Sequence, residues 1–534
     1  MEKRAFLAVV LSLIVLIAYQ EWVARYYAPQ PPPAKVEKPQ EKQPAQAVPE
    51  IKPALPPAPA LAQEQAQEVR VETDKYSAVF TSRGGRLKSF LLRDYRTSIE
   101  EHSPPVEMIS HQPEISYPLG IRLNGAAQYD DEELTYAVLG GDLKLTGDAK
   151  GSLGFEARTP AGAVIRKEFT FTGSSYAVGM DVTVTGSPSA AALLVTAPTK
   201  GPAADTKFEG FLALVDRHLI RQHDEELKKG QEFTGTVSWA GFGYTYFLFA
   251  VLPETTKEEK VTVKETDSRI AMEIALKSPD RPTFKNHYTL FIGPKEFDVL
   301  ASFGRELERS IDFGWALFRF FSVPLLQLMH FSHQFTGSYG IDIILITVLI
   351  KLLTAPLTHK SFVSMKQMQK LQPQMERLKE KFKDDREKLN REIMELYRRN
   401  KVNPLGGCLP MILQIPVFIG LYNALLTPIE LRHAPFLWIK DLSRPDWESL
   451  PFHLGGWSVG LPLLTILMGA SMFLQQWMTP SAGDPNQRRM MLMMPILFTV
   501  MFINFPSGLT IYWLVNNILS IAQQYVVNRM DRWK

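Results

Sequence analysis

The 534-residue sequence contains very little cysteine, no nucleotide-binding motif and almost no net charge. Cys408 is the single cysteine, so a disulfide within the chain is excluded and an exported domain must be stabilised by its own core. The phosphate-binding pattern G-x-x-x-x-G-K-S/T is absent, which removes the usual sign of an ATPase. A net charge of +3 does not indicate a nucleic-acid-binding protein.

Charge is also scarce within the long apolar runs, and Lys351 is the exception. The run 339–358 is long enough to cross a bilayer, and Lys351 lies inside it. A cation within a membrane span costs several kcal/mol unless it reaches water or a partner, so Lys351 predicts a functional site. The alternative is that its long stem extends to the membrane surface.

Hydrophobic runs predict six membrane spans. Residues 1–27 read as an N-terminal signal anchor, with a cleaved signal peptide as the alternative. The other five spans are expected at about 338–358, 408–427, 460–478, 490–505 and 508–527. The fifth run is short for a bilayer and should thin the membrane locally.

Between the first two spans the composition changes three times. The Pro- and Ala-rich segment 28–67 predicts an extended tether. Residues 68–312 show period-two alternation, as at Val178, Met180, Val182 and Val184, and predict a large antiparallel β-sandwich. Its histidines lack metal-ligand spacing. Residues 313–336 predict an amphipathic helix lying in the membrane interface.

Basic loops predict the orientation. The loop 359–403 has 13 Lys or Arg against 7 Asp or Glu, whereas the loop 427–459 carries a small negative net charge. The positive-inside rule therefore places both termini in the cytoplasm and the β-sandwich outside. The apolar periodicity of 359–403 predicts a helical hairpin whose basic exterior includes Lys370, Arg377, Lys381 and Lys388. The hairpin could be purely topogenic, or could dock on anionic lipid or ribosomal RNA.

The predicted spans also contain many polar residues, including Gln414 and Asn516. With Lys351 they could line a water-filled cavity open to the cytoplasm, while others only link helices. Asp342 lies too far along the span to pair with Lys351, so the positive charge is expected to be available to something that enters.

Three separated motifs resemble those of the YidC-type membrane protein insertases. They are Asn403–Cys408 (NPLGGC), Pro356–Thr358 (PLT) and Phe505–Leu509 (FPSGL). The core resemblance covers about 313–534, and the anchor, tether and β-domain match the Gram-negative form. It implies an α-helical polytopic membrane protein with a periplasmic β-sandwich. Five of its six transmembrane helices, within 337–534, would form the insertase core around a cytoplasm-open groove.

The resemblance also implies roles for individual residues. Lys351 takes the position of a family arginine that attracts acidic substrate tails, and Thr347 matches a groove position. Tyr512-Trp513 stands where the family often has paired tyrosines. The same resemblance places Phe418 and Met472 on a hydrophobic slide toward lipid, although both could be ordinary packing residues.

The predicted function is a non-enzymatic membrane protein insertase and chaperone in the bacterial inner membrane. Its expected partners are nascent membrane proteins, the Sec translocon (SecYEG and SecDF), the ribosome and membrane lipids, and no cofactor or metal is expected. One alternative is a small-solute transporter, which would favour inverted repeats with broken helices. The other is a membrane-anchored periplasmic enzyme acting on sugars, which would need a His and carboxylate site in the sandwich.

Overall fold

The structure is a computed structural model of the chain. It describes residues 66–109, 116–124, 128–186, 190–254, 258–266, 269–276, 283–383, 385–400, 402, 409–427, 429–454, 457–479 and 485–530. The predicted signal anchor 1–27 and nearly all of the predicted tether 28–67 lie outside these residues. The family motif Asn403–Cys408 also lies outside them.

The first half of the described chain is built from β-strands. In chain order they are β1 (Glu68–Glu72), β2 (Tyr76–Thr81), β3 (Arg86–Arg96), β4 (Pro105–Glu107), β5 (Gly120–Asn124), β6 (Gln128–Asp130), β7 (Ala137–Leu139), β8 (Leu143–Lys144), β9 (Lys150–Arg158), β10 (Val164–Thr172), β11 (Ala177–Thr185), β12 (Ala190–Pro198), β13 (Phe208–Val215), β14 (His218–Gln222), β15 (Gln231–Tyr244), β16 (Phe247–Pro253), β17 (Glu258–Thr266), β18 (Arg269–Ala275) and β19 (Thr283–Pro294). A separate hairpin, β20 (Pro451–Leu454) and β21 (Trp457–Gly460), lies among the later helices.

Within the described residues, these strands form a five-stranded sheet, ordered β4-β3-β2-β1-β8, and a fourteen-stranded sheet. The two sheets meet in an aromatic core where Phe80 of β2 contacts Phe169 of β10, with ring centroids 4.7 Å apart. The period-two prediction is confirmed, because β11 alternates buried and half-buried residues along its length. The prediction of purely antiparallel pairing is wrong at one place, since β1 and β8 run parallel.

A buried charged network joins the two sheets. Asp131 accepts hydrogen bonds from Arg86 Nη2 at 2.8 Å and from Tyr136 OH at 2.7 Å, and it lies 2.7 Å from Lys167 Nζ. The side chains of Asp131 and Lys167 are fully buried, and that of Arg86 is 1% exposed. Lys167 also donates to the carbonyls of Gly84 and Leu119. One buried carboxylate thus bridges two cations, and Arg86 has a second counter-charge in Asp130. Removing Asp131 would leave Lys167 buried without an acidic partner.

Helices make up the second half. They are α1 (Asp224–Leu227), α2 (Phe297–Ser302), α3 (Ala316–Thr336), α4 (Tyr339–Lys381), α5 (Arg386–Arg399), α6 (Leu409–Leu426), α7 (Leu463–Met478), α8 (Pro485–Phe502) and α9 (Ser507–Met530), of which α1 and α2 lie within the β-rich region. Helices α4, α6, α7, α8 and α9 overlap the five predicted spans. Among the described residues, α4 alone is both long and apolar enough to pass as a membrane-crossing helix, and shorter apolar stretches occur in α6, α7 and α8.

Helix α4 is longer than the sequence predicts. The predicted span ends at Thr358 after Pro356, yet the helix continues through both Pro356 and Pro373 to Lys381. A proline removes one intrahelical hydrogen bond, and helices buried among neighbours or in lipid tolerate this loss. One continuous helix therefore connects Lys351 to the basic hairpin.

The hairpin itself is confirmed. Asp385 caps α5, since its side chain accepts a hydrogen bond from the Lys388 backbone N–H at 3.0 Å. A small apolar core between α4 and α5 contains Leu371, Met375 and Tyr397, all nearly buried. The hairpin is thus an ordered surface rather than a loose loop.

Helix α9 is the central element of the helical part, because it packs against both α4 and α7. Helix α3 packs against α6 and α4. It buries Leu326 and Met329 but leaves Phe320, Phe331 and Phe335 largely exposed, which is the pattern of an amphipathic helix. The α3 helix begins at Ala316, three residues after the predicted start.

A histidine cluster connects α3 to the segments around it. His330 lies 2.8 Å from Asp298 of α2 and 2.9 Å from Glu430, which follows α6. His333 lies 2.8 Å from Asp342, which also accepts a hydrogen bond from Thr336. Asp342 is therefore occupied at its own end of α4, as the sequence distance from Lys351 predicts.

The His330 contacts predict a pH-dependent stability. Burial alone would lower the pKa of His330, but its hydrogen bonds to Glu430 and Asp298 outweigh burial and raise the pKa to about 9. The charged imidazole therefore contributes stability that is complete below about pH 6.5 and is lost as the pH rises through about 9. We expect the thermal unfolding temperature of the purified chain to fall across this interval. A His330→Gln variant should show a flatter profile, and equal profiles for the two proteins would contradict the assignment.

Candidate functional site

The candidate site lies on α4 and α9 and begins with Lys351. The Lys351 ammonium donates a hydrogen bond to Ser520 Oγ at 2.5 Å, and Ser520 Oγ donates to the Asn516 carbonyl at 2.7 Å. Ser520 is 3% exposed, whereas Lys351 is only half-buried. In the part of the chain that the structure describes, no carboxylate forms an ion pair with Lys351. A hydroxyl offers dipolar stabilisation but no neutralising charge, so the cation keeps its attraction for an anion.

One turn earlier on α4, Thr347 is buried. Its hydroxyl donates to the Ile343 carbonyl at 2.6 Å, within its own helix. The side chain is therefore packed inside the protein, and its hydroxyl is satisfied within α4. Its predicted role in the groove stays a prediction.

Gln414 of α6 and Tyr512 of α9 form the next polar contact, in which Gln414 Nε2 donates to Tyr512 OH. Tyr512 is 1% exposed, and Gln414 is half-buried. Two predicted groove residues from helices far apart in sequence are thus brought together. This hydrogen bond joins α6 to the N-terminal part of α9.

The predicted slide residues border an aromatic cluster. Phe418 of α6 lies edge-on to Trp513 of α9, with ring centroids 4.9 Å apart, and Trp513 also contacts Phe502 at 5.2 Å. Met472 of α7 is half-buried and packs against the same hydrophobic core. Phe418 and Trp513 thus form an apolar contact between α6 and α9. The predicted role of Phe418 and Met472 as a slide for the substrate stays a prediction.

Polar side chains of α9 fasten the helices on either side of it. On the α4 side, Gln523 Nε2 donates to the Ala355 carbonyl at 2.9 Å. On the α7 side, Asn517 Nδ2 donates to Ser471 Oγ at 3.0 Å, and Gln524 Nε2 donates to the Met478 carbonyl at 2.8 Å. Because side-chain hydrogen bonds are retained well in an apolar medium, these contacts keep α9 fixed between α4 and α7.

The four basic residues predicted for the exterior of the hairpin face outward. Lys370, Arg377, Lys381 and Lys388 are exposed, and the ammonium groups of Lys381 and Lys388 lie 5.4 Å and 5.3 Å from the Phe382 ring centroid. Both cations therefore flank one aromatic ring at the tip of the hairpin. The prediction of a basic exterior is confirmed.

Sequence reasoning missed the pairing of Lys351 with Ser520. The polar content of the last span is visible in the sequence, but hydropathy does not tell which spans are neighbours.

In the β-domain, His218 and His223 are exposed, and the described residues contain no group of three or more His, Cys, Asp or Glu placed to hold a metal ion.

Two family models and the sequence relatives agree on one family. The family described as 60Kd inner membrane protein matches residues 331–533, and the YidC periplasmic domain matches residues 68–328. The membrane protein insertase YidC of Pelobacter propionicus is 39% identical over 99% of both chains. That of Syntrophus aciditrophicus is 40% identical over 99% of this chain and 100% of its own. A crystal structure of an active YidC insertase aligns at 17% identity over 86% of this chain and 93% of that one, with a TM-score of 0.38.

Proposed function

The chain belongs to the YidC family of membrane protein insertases, and from this premise we propose that Lys351 attracts the acidic or polar tail of an incoming substrate. Membership of this family means that the chain is a membrane protein with a periplasmic domain. It also means that the chain is an insertase and not an enzyme. The transporter and sugar-enzyme alternatives are set aside with it. How the groove works has to be argued from the residues of this chain.

The observation that supports the proposal is the hydrogen-bond partner of the Lys351 ammonium. Its described partner is the neutral hydroxyl of Ser520, so an entering carboxylate would form the stronger, charge-assisted contact. Lysine presents a point charge where an arginine would present a planar fork. The mechanism in this chain therefore requires positive charge at residue 351 and tolerates variation in carboxylate geometry.

We further propose that Gln414, Thr347, Tyr512, Trp513 and Asn516 complete the groove around Lys351. The hydrogen bond between Gln414 and Tyr512 supports this arrangement, since it places an amide and a hydroxyl between α6 and α9. Polar groups at this depth lower the cost of bringing a polar segment into the membrane. Phe418, Met472 and Trp513 would then offer the apolar surface along which the substrate helix leaves for lipid.

The topology belongs to the same proposal. Residues 1–27 would span the membrane once, and α4, α6, α7, α8 and α9 would form a five-helix core, with both termini in the cytoplasm. Helix α8 has 18 residues, about 27 Å at about 1.5 Å per residue, against a hydrocarbon core of about 30 Å. A short helix of this kind thins the adjacent bilayer and shortens the polar segment's path.

Site-specific cross-linking tests whether a substrate occupies this groove. A photoreactive residue at Asn516 should capture an acidic-tailed, single-span substrate during insertion. The matched control is the same residue at Leu353, two positions from Lys351 on α4 and 74% exposed on another face of the helix. Capture at position 516 at least about fivefold above position 353 supports the groove, and equal capture at both positions contradicts it.

The cytoplasmic hairpin is proposed to dock on phosphate-rich surfaces, either anionic lipid or the ribosome, and partnership with the Sec translocon is proposed from the family alone. Each exposed Lys or Arg near an anionic membrane contributes about 1 kcal/mol. Replacing Lys370, Arg377, Lys381 and Lys388 by Gln should therefore weaken binding at least about tenfold at low salt.

Co-sedimentation with anionic vesicles and with ribosomes measures the two targets separately. Replacing the same lysines by Arg keeps the charge and is the matched control. Unchanged binding of the Gln variant to both targets would show that the hairpin does not dock through these residues.

A further inference from the structure

The loop after α6, residues 429–449, contains a tight two-residue turn. The Phe436 backbone N–H donates to the Ile439 carbonyl at 2.9 Å, and the Ile439 N–H donates back to the Phe436 carbonyl at 2.9 Å. We define residues 436–439 as the outer turn. Its two central residues are Leu437 and Trp438.

Leu437 combines an unfavourable backbone conformation with a solvent-exposed side chain. Its φ is 54°, and it is 75% exposed. A positive φ at the first central residue of such a turn is normally provided by glycine, because a Cβ crowds the backbone there. Bulky residues in this conformation are outliers, and outliers of this kind cluster at functional sites. The turn therefore presents a large apolar side chain where glycine would fit better.

The residues on either side of Leu437 are packed, so its exposure is specific. Phe436 and Trp438 both lie against the hydrophobic core. The Phe436 ring fills the space beside Gly340 of α4, since a Cβ added at Gly340 would overlap the ring. The outer turn is thus seated on the first turn of α4 and directs one apolar side chain away from the protein.

The segments that lead into and out of the outer turn are fixed as well. The Leu442 N–H donates to the Ala434 carbonyl at 3.0 Å. Arg432 makes two hydrogen bonds to Asp205, from Nε to Oδ2 at 2.6 Å and from Nη2 to Oδ1 at 2.9 Å. The exposed leucine is therefore carried by an ordered segment.

The seat on Gly340 locates the outer turn relative to the proposed membrane. Helix α4 and its apolar run both begin at Tyr339, so the turn lies where this helix would enter the hydrocarbon layer. Only two residues separate α4 from the end of α3, where Phe331 and Phe335 are 59% and 76% exposed. Exposed apolar side chains of α3 and of the outer turn thus occur around one junction.

We propose that Leu437 is a lipid-contact residue, which the outer turn inserts among the acyl chains just beneath the headgroups of the outer leaflet. Lipid fits this surface better than a protein does, because one projecting side chain supplies little of the roughly 800 Å² that each partner buries in a stable interface. Lys440 follows three residues later and is exposed, and its charge attracts lipid phosphate.

The neighbouring helix α3 supports the same depth. Amphipathic helices at a membrane surface bury their apolar faces about 5–10 Å into the boundary between headgroups and acyl chains. The inference rests on the membrane topology that forms part of the proposed function. It adds a lipid contact outside the five spans of the proposed core.

Photolabelling by lipids tests the contact in the unsubstituted chain, reconstituted in liposomes. Trypsin cleaves after Lys and Arg, so it releases the outer turn in the peptide 433–440. A phospholipid with a diazirine near the start of its acyl chain should label this peptide at least about fivefold more than the β-domain peptide 123–144. The latter is the matched control, because it contains Leu139, an apolar residue that is 44% exposed.

A second lipid tests the topology separately. With the diazirine near the end of its acyl chain, it should label the peptide 352–360 of α4, which contains the 74%-exposed Leu353. The same lipid should label 433–440 less than the first lipid does, because the outer turn is expected near the headgroups and not at the bilayer centre.

Two variants identify the side chain responsible. Leu437→Asp should lower labelling of 433–440 by the first lipid at least about fivefold, because a carboxylate is excluded from acyl chains. Aspartate tolerates a positive φ better than leucine, so the turn should still form, which thermal unfolding checks. Leu437→Met keeps an apolar side chain of similar size and should keep most of the labelling.

The outcomes separate this inference from the proposed topology. If 352–360 is not labelled, the proposed topology fails, whatever happens at the outer turn. If 352–360 is labelled and 433–440 is labelled no more than 123–144, the outer turn faces water or another protein and the inference is overturned. Equal labelling of a folded Leu437→Asp variant and the unsubstituted chain would also overturn it. If that variant does not fold, labelling of the unsubstituted chain decides.

Discussion

Lys351→Glu should abolish most insertion of substrates with acidic tails, lowering the rate at least about tenfold in inverted membrane vesicles. An ammonium and a carboxylate about 4 Å apart attract each other by about 4 kcal/mol at an effective dielectric constant of about 20. Loss of only a third of this attraction corresponds to about a tenfold change. Reversing the charge adds repulsion, so tenfold is a lower bound for a mechanism that works by charge.

The charge of the substrate provides the matching control. Lys351→Arg keeps the charge and should retain most of the activity, whereas Lys351→Gln should lie between Arg and Glu. A substrate whose tail has been made basic should be inserted no more slowly by the Lys351→Glu variant than by the unsubstituted chain. If Lys351→Glu impaired acidic and basic tails equally, the substitution would be damaging the helix packing and charge attraction would be excluded.

Asp131→Ala should destabilise the β-domain by about 3–5 kcal/mol, because it leaves Lys167 buried without its counter-charge and Arg86 with only its partly exposed partner Asp130. For a domain of this size such a loss lowers the unfolding temperature by about 10 °C. Thermal unfolding of the full-length chain, followed by the circular dichroism of its β-sheet, measures the change. The control is Asp181→Asn, which breaks a partly exposed pair with His287 and should cost about 1 kcal/mol or less.

The same carboxylate predicts sensitivity to acid. Burial alone would raise the pKa of Asp131, but the charges of Lys167 and Arg86 outweigh burial and hold the pKa below its usual value. Its contribution to stability is therefore complete above about pH 4, the pKa in the unfolded chain, and is lost as the pH falls below that. A β-domain equally stable at pH 7 with and without Asp131 would contradict the account of this network.

Much of the architecture follows from periodicity and hydropathy. The alternation in β11 identifies a half-buried strand, and the apolar runs locate the start of α4 and both ends of α6, α7, α8 and α9 within a few residues. Lys351 stands out because burying a cation in an apolar run is energetically unfavourable, whichever neighbours the helix packs against. Properties of this kind depend on a residue and its near neighbours in the chain, and so they can be inferred without the fold.

Partnerships between distant residues could not be inferred in this way. The contact between Gln414 and Tyr512 joins residues 98 apart in sequence, and that between Lys351 and Ser520 joins residues 169 apart. The pair Arg432 and Asp205 spans 227 residues. Hydropathy gives the buried face of each helix, but the choice of neighbour is made by packing of the whole core.

The network around Asp131 did leave a signal. Lys167 occupies the inward phase of β10, in step with the buried residues Ile165, Phe169 and Phe171. A charged residue in that phase implies a buried partner, although its identity requires the fold. By contrast, nothing local distinguishes the buried Arg432 from the exposed Lys440 of the same loop.

The most direct test of the central claim is protease protection of a short, acidic-tailed, single-span protein added to liposomes that contain only this purified chain. We predict protection that requires the chain, falls at least about tenfold with Lys351→Glu and is largely kept with Lys351→Arg. Protection that is the same with Lys351→Glu would contradict charge attraction in the groove. Protection no greater than in protein-free liposomes would contradict autonomous insertion by this chain.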